Sequence, residues 1–171
     1  WGLTRSGYDR GTLDGPAYWG AILTAGGVTP TPALVEELAR LDTRSWTRVN
    51  EPVKQWARDL RAAGRRTAIL SNMPFETLRC IRSNPSLRWI EEFDVAVYSC
   101  DYRLIKPEAG LYRICLEKLG ATPDTCAFLD DNLENVEAAR ALGMSATRFE
   151  STAQVAAVAA GWGLPVDALR A

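Results

Sequence analysis

Thr67-Ala68-Ile69-Leu70-Ser71-Asn72 is the stretch on which the fold turns. A short apolar run ends abruptly in a hydroxyl and an amide, without alternation of apolar and polar positions. Such a run reads as a strand buried on both faces, which is the habit of a parallel sheet. Val95-Ala96-Val97-Tyr98 and Cys126-Ala127-Phe128-Leu129 repeat the pattern, and Ser145-Ala146-Thr147-Arg148-Phe149 repeats it more weakly. Helical patterns separate these runs, over Phe75 to Arg82, Ala109 to Leu119 and Leu133 to Leu142, the last stopped by Gly143. Strands alternating with helices predict βαβ units, and so an α/β fold built on a doubly wound parallel (Rossmann-like) sheet.

Upstream the pattern is helical. Gly15-Pro16 opens an apolar run from Ala17 to Leu23 that closes at Gly26-Gly27. Thr31 reads as an N-cap with Pro32 in the first turn, and Leu34, Leu38 and Leu41 fall on one face. Another helix begins near Pro52, with Val53, Trp56, Leu60 and Ala63 on one side and Gly64 as its stop. An alanine-rich helix from Thr152 to Ala160 closes the pattern. The expected organisation is a small helical domain at 1–50 and an α/β core at 51–171.

Composition narrows the chemistry. The chain has 171 residues, 47% of them hydrophobic and 24% charged, the balance of a globular domain with one real core. Twenty Lys and Arg against 21 Asp and Glu give a net charge of -1, which argues against nucleic acid as a partner. No apolar run is long enough to span a membrane, and no signal peptide is visible. There is no histidine, so Ser-His-Asp and Cys-His catalysis and His-ligated metals are excluded within this sequence. Cys80, Cys100, Cys115 and Cys126 show no metal spacing and read as reduced packing residues, with a cytoplasmic setting expected.

In open parallel sheets ligands bind beyond the carboxyl ends of the strands. Asp130-Asp131 follows one such end, and two adjacent carboxylates suit magnesium (Mg²⁺), which takes few protein carboxylates and keeps waters. The same residues, with Asn132, also read as the cap of the following helix. Ser71-Asn72 ends another strand, where a hydroxyl, an amide and backbone N–H groups can hold a phosphate oxygen, or can simply make a turn. Lys106, in Leu104-Ile105-Lys106-Pro107-Glu108, sits on a loop stiffened by proline, where its ammonium can neutralise a carboxylate and a phosphate together.

Taken in order, Ala68-Ile69-Leu70-Ser71-Asn72, Ile105-Lys106-Pro107-Glu108 and Phe128-Leu129-Asp130-Asp131-Asn132 resemble the haloacid dehalogenase-like superfamily, specifically its helical-capped phosphatase branch. The run from Asn135 to Met144 is similar to that family too, and the helical front matches its cap domain more loosely. The resemblance implies that Ser71 binds a phosphoryl oxygen with Asn72 in support, and that Lys106 bridges the phosphoryl group and the nucleophile. It implies that Asp131 ligates Mg²⁺, with Asp130 as second ligand or as an acceptor behind it. The implied reaction is hydrolysis of a small-molecule phosphate monoester through an aspartyl-phosphate. The cap would set the substrate, with Tyr8, Tyr18, Trp19 and Trp46 as candidate pocket residues; Tyr18, Trp19 and Leu23 also suit the cap's own core, which is the better reading of Trp19.

One part of the family pattern is missing. Its nucleophile and general acid come from an Asp-x-Asp closing the first strand, and no Asp-x-Asp occurs in these 171 residues. Asp9 and Asp14 lie in a polar, glycine-containing stretch instead. The first core strand is therefore expected upstream of Trp1, between the strands that end at Ser71 and Asp131, and the sequence as it stands is not expected to turn over. A 2-haloacid dehalogenase, which needs no Mg²⁺, is the nearest rival, but paired carboxylates would repel its carboxylate substrate unless a cation sat between them. A receiver domain places its acidic pair first in the sequence, whereas here it comes last. An inactive family member serving as a binding module is the remaining alternative.

Overall fold

The computed structural model describes residues 2–170 and opens with three helices, α1 (Gly2–Asp9), α2 (Gly15–Ala25) and α3 (Pro32–Ser45). Short polar side chains set where helices start. Asp14 accepts the Ala17 N–H at 2.8 Å ahead of α2, and Thr31 accepts the Leu34 N–H at 3.3 Å ahead of α3. Asn50 does the same for α4 (Glu51–Ala62), taking the Val53 N–H at 3.2 Å. Between α2 and α3 the chain turns through Gly26 to Thr31, all exposed, with Gly27 at φ +73° and nothing within 4 Å of where a Cβ would stand.

The α/β portion follows as β1 (Ala68–Ser71), α5 (Phe75–Ser83), a 3₁₀ helix at Pro85–Glu92, β2 (Val95–Tyr98) and the short α6 (Ser99–Tyr102). Then come α7 (Ala109–Leu119), β3 (Ala127–Asp130), α8 (Leu133–Ala141), β4 (Ser145–Arg148), α9 (Thr152–Gly161) and α10 (Asp167–Arg170). The third strand starts one residue later than its apolar run and takes in Asp130. The strands pair as two separate ladders, β1 with β2 and β3 with β4. The second is parallel, with Ala127 opposite Ser145 and Asp130 opposite Arg148. A single continuous sheet is thus absent among the described residues, where each strand has one ladder partner. Burial agrees: all four residues of β1 are only half-buried, whereas an interior parallel strand is covered on both faces.

The chain clusters into two compact units. One comprises 1–48, 70–92 and 97–105; the other comprises 49–69, 93–96 and 106–171. The helical front thus groups with two later segments. In the first unit Tyr8 stacks on Tyr18 at 4.4 Å, and Arg5 bridges Asp9 and Asp42 while lying over the rings of Tyr8, Tyr18 and Trp46. The leucine face of α3 is only partly covered: Leu34 is 41% and Leu41 46% exposed, Leu38 is half-buried, and Thr43 is the buried residue, facing Thr77 of α5. In the second unit Trp56 of α4 packs with Val155, Ala156 and Ala159 of α9 and with Leu169 of α10, its indole N–H donating to the Pro165 carbonyl. Tyr112 of α7 donates to the Asn135 carbonyl in α8 and meets Phe128 edge-on at 5.4 Å. No helix among the described residues is long and apolar enough to cross a membrane.

Candidate active site

The acidic pair lies where β3 gives way to α8, and the two carboxylates have different surroundings. Asp130 is buried, its side chain 5% exposed, and Lys106 reaches it at 2.5 Å with its own side chain 10% exposed. The other Asp130 oxygen accepts the Asn132 N–H and the Asn135 side-chain amide, both at 2.9 Å. A buried carboxylate needs such a set, because desolvation is offset only when charge and lone pairs are both met. Lys106 also lies 5.9 Å from the Phe128 ring centroid, and the Lys106–Pro107 peptide is cis.

Asp131 is exposed, and its carboxylate has no partner among the described residues. Its main-chain carbonyl accepts Arg148 Nε at 2.8 Å across the ladder end. Beside the pair opens a cleft of about 440 Å³, lined by Val53, Trp56, Leu129 and Phe149 together with Asn50, Asp130 and Asp131. Among the described residues no three Asp, Glu, Cys or His side chains converge as a metal cage. One free carboxylate beside an engaged one fits Mg²⁺, which fills its octahedron with water and substrate oxygens, and does not fit a closed Ca²⁺ or Zn²⁺ site.

Ser71 and Asn72 belong to the first unit. Ser71 ends β1, half-buried, its hydroxyl without a hydrogen bond among the described residues. The turn that follows runs through Met73 to Pro74, where α5 begins without a side-chain cap. The Met73 N–H donates to Ser99 Oγ at 2.8 Å, and Ser99 donates in turn to the Asp9 carbonyl. Arg148 and Ser99 take a direct part in this arrangement and lie on no motif, and Asn135 opens the run read as similar to the family, where its bond to Asp130 is not foreseen. Asn135 stands five places beyond Asp130, at the spacing that turns a first-turn helix side chain back to the strand end. Arg148 needed the β3–β4 register, and Ser99 needed contacts distant in sequence.

A family model for haloacid dehalogenase-like hydrolases matches residues 7–143. The chain belongs to that family. Bifunctional epoxide hydrolase 2 of Rattus norvegicus is 33% identical over 107 residues, covering 61% of this chain. The match spans only 19% of that relative's length. A HAD family enzyme from Bacteroides thetaiotaomicron, solved in complex with magnesium and inorganic phosphate, superposes with a TM-score of 0.66 at 17% identity. That superposition covers 84% of this chain and 74% of the other. L-2-haloacid dehalogenase from Xanthobacter autotrophicus, with chloropropionic acid covalently bound, gives a TM-score of 0.66 at 21% identity over 99% of this chain and 70% of its own. At 17% and 21% identity the two structures show likeness of fold alone, an α/β fold of the class expected from the sequence.

Proposed function

We propose that the whole protein is a Mg²⁺-dependent phosphatase acting on a small-molecule phosphate monoester. The observation that carries this reading is the division of labour at the end of β3. Asp130 is committed to Lys106 and Asn135, which leaves the Asp131 carboxylate as the group presented to a cation. In this reading Asp131 holds the metal, and Asp130 is the acceptor that fixes Lys106. Lys106 neutralises phosphoryl charge, and Ser71, supported by Asn72, binds a phosphoryl oxygen. Bound Mg²⁺ supplies charge screening for phosphoryl transfer. Residues 1–50 serve as the helical cap. A dehalogenase-type reaction needs no cation, so an uncommitted Asp131 carboxylate at the strand end favours the phosphatase over that rival.

The nucleophilic aspartate is assigned to a strand outside these 171 residues, since none of them supplies an Asp-x-Asp. Among the described residues β3 has one ladder partner, β4, which leaves its other edge open to a further strand. The test is hydrolysis of p-nitrophenyl phosphate by the protein carrying that strand, with and without Mg²⁺, beside calorimetric Mg²⁺ titration of residues 1–171. Hydrolysis is expected to require Mg²⁺ and to vanish in Asp131→Asn, while the 171-residue chain binds Mg²⁺ through Asp131 without turnover. Metal-independent release of chloride from 2-chloropropionate would overturn the phosphatase reading in favour of the dehalogenase. Metal binding without either reaction would leave a binding module.

A further inference from the structure

Ser99 is fully buried, at 0% exposure, yet it is a polar residue on no motif. Its one hydroxyl joins three segments that are far apart in sequence. It accepts the Met73 N–H at 2.8 Å, donates to the carbonyl of Asp9, and lies 3.3 Å from the Met73 carbonyl. Each partner is a group that lacks another obvious outlet. Asp9 is the last residue of α1, where carbonyls have no intrahelical donor. Met73 precedes Pro74, which has no N–H, so its amide is the last donor before α5. Ser71 stands two residues before that amide.

We propose that Ser99 is the positioning residue of the Ser71-Asn72 turn, fixing the backbone path that aims the Ser71 hydroxyl, and that it ties this turn to the end of α1. The proposal rests on the reading of Ser71 as a phosphoryl contact. It extends that reading by naming the group that holds Ser71 in place without touching substrate. The end of α1 is fastened there by more than one bond. Arg10 donates to the Arg103 carbonyl, the Gly15 N–H donates to Glu76, and Gly11 lies so close that a Cβ there would stand 2.6 Å from the Phe75 ring. Removing the Ser99 hydroxyl takes their partner from the part-buried Met73 amide and Asp9 carbonyl, and the turn is free to relax.

The test is the affinity of inorganic phosphate for the Mg²⁺-loaded chain, measured by calorimetry together with Mg²⁺ affinity and melting temperature. Ser99→Ala is expected to weaken phosphate binding roughly tenfold, the worth of one buried hydrogen bond, while Mg²⁺ affinity stays unchanged. Ser99→Cys leaves no cavity and puts a larger, poorer acceptor in place of the hydroxyl, and is expected to weaken phosphate similarly, so it decides the matter should the alanine variant not fold. Leu87→Ala, which opens a cavity at a buried residue of the same unit, is expected to lower the melting temperature with phosphate affinity intact. Wild-type phosphate affinity in Ser99→Cys, alongside loss of binding in Ser71→Ala, overturns the role of Ser99 and leaves that of Ser71 standing. Undiminished binding in Ser71→Ala overturns the Ser71 reading, and this proposal with it.

Discussion

Two adjacent aspartates are chemically identical on paper, and their surroundings make them different groups. The sequence makes the pair legible, because Asp130-Asp131 closes an apolar run and precedes a helix. It does not say which carboxylate is spent, since that depends on Lys106, 24 residues upstream, and on Asn135 reaching back from α8. The pair Lys106–Asp130 is dry enough that losing one member leaves an uncompensated charge. Lys106→Met is expected to cost about 3 kcal/mol in urea unfolding, and adding Asp130→Asn to recover most of it. Equal stability for Lys106→Met and wild type would mean that water, not lysine, satisfies Asp130. Ser99 marks the opposite limit of legibility. Nothing local distinguishes a serine after a strand as a three-way junction, because two of its partners come from residues 26 and 90 positions away.

At the scale of elements, the starts of helices read well, because caps are local. Thr31 and the stop at Gly64 lie where the sequence puts them, and Gly64 takes φ +74°. Strand positions read to within a residue for the same reason: short apolar runs have few alternatives. Which face of a helix is buried read less well. Leu34, Leu38 and Leu41 form a stripe in sequence, yet only Leu38 of them is even half-buried and Thr43 is the buried residue of α3, because its neighbours α2 and α5 decide the rotation. The connection between α1 and α2 is the tightest joint among these elements. Gly11 there has φ +70°, and a Cβ would stand 2.6 Å from Phe75 and 3.1 Å from the Cys100 Cβ. Gly11→Ala is expected to lose about 3 kcal/mol, combining left-handed strain with overpacking. Gly27→Ala, at φ +73° in open space, meets only the strain and is expected to lose about 1 kcal/mol. Thermal melts of the two variants side by side read the difference, and equal losses would show that Phe75 yields without cost.

For the whole molecule, a boundary at residue 50 is what composition suggests, whereas contacts group 70–92 and 97–105 with the helical front. The grouping follows from bonds such as Gly15 to Glu76 and Ser99 to Asp9, which no local pattern announces. Burial also decides the behaviour of the thiols. Desolvation pushes Cys100 and Cys115 up to about 11, with Asp101 adding to the first and Cys126 to the second. At pH 8 only about one in a thousand of either is thiolate, so both are inert in the native fold. Iodoacetamide at pH 8 is expected to modify half-buried Cys80 first, and Cys100 and Cys115 only once the chain unfolds, as read by peptide mass spectrometry. Early labelling of Cys115 would mean that the second unit opens locally below its global unfolding.

The turn between α2 and α3 has a practical corollary. Its six residues face solvent, make no close approach at Gly27, and join helices whose starts are fixed by their own caps. A short epitope or a dye-bearing peptide spliced in there has room to protrude without disturbing either helix. The connection nine residues into the chain offers no such freedom, so a reporter belongs on the far side of α2.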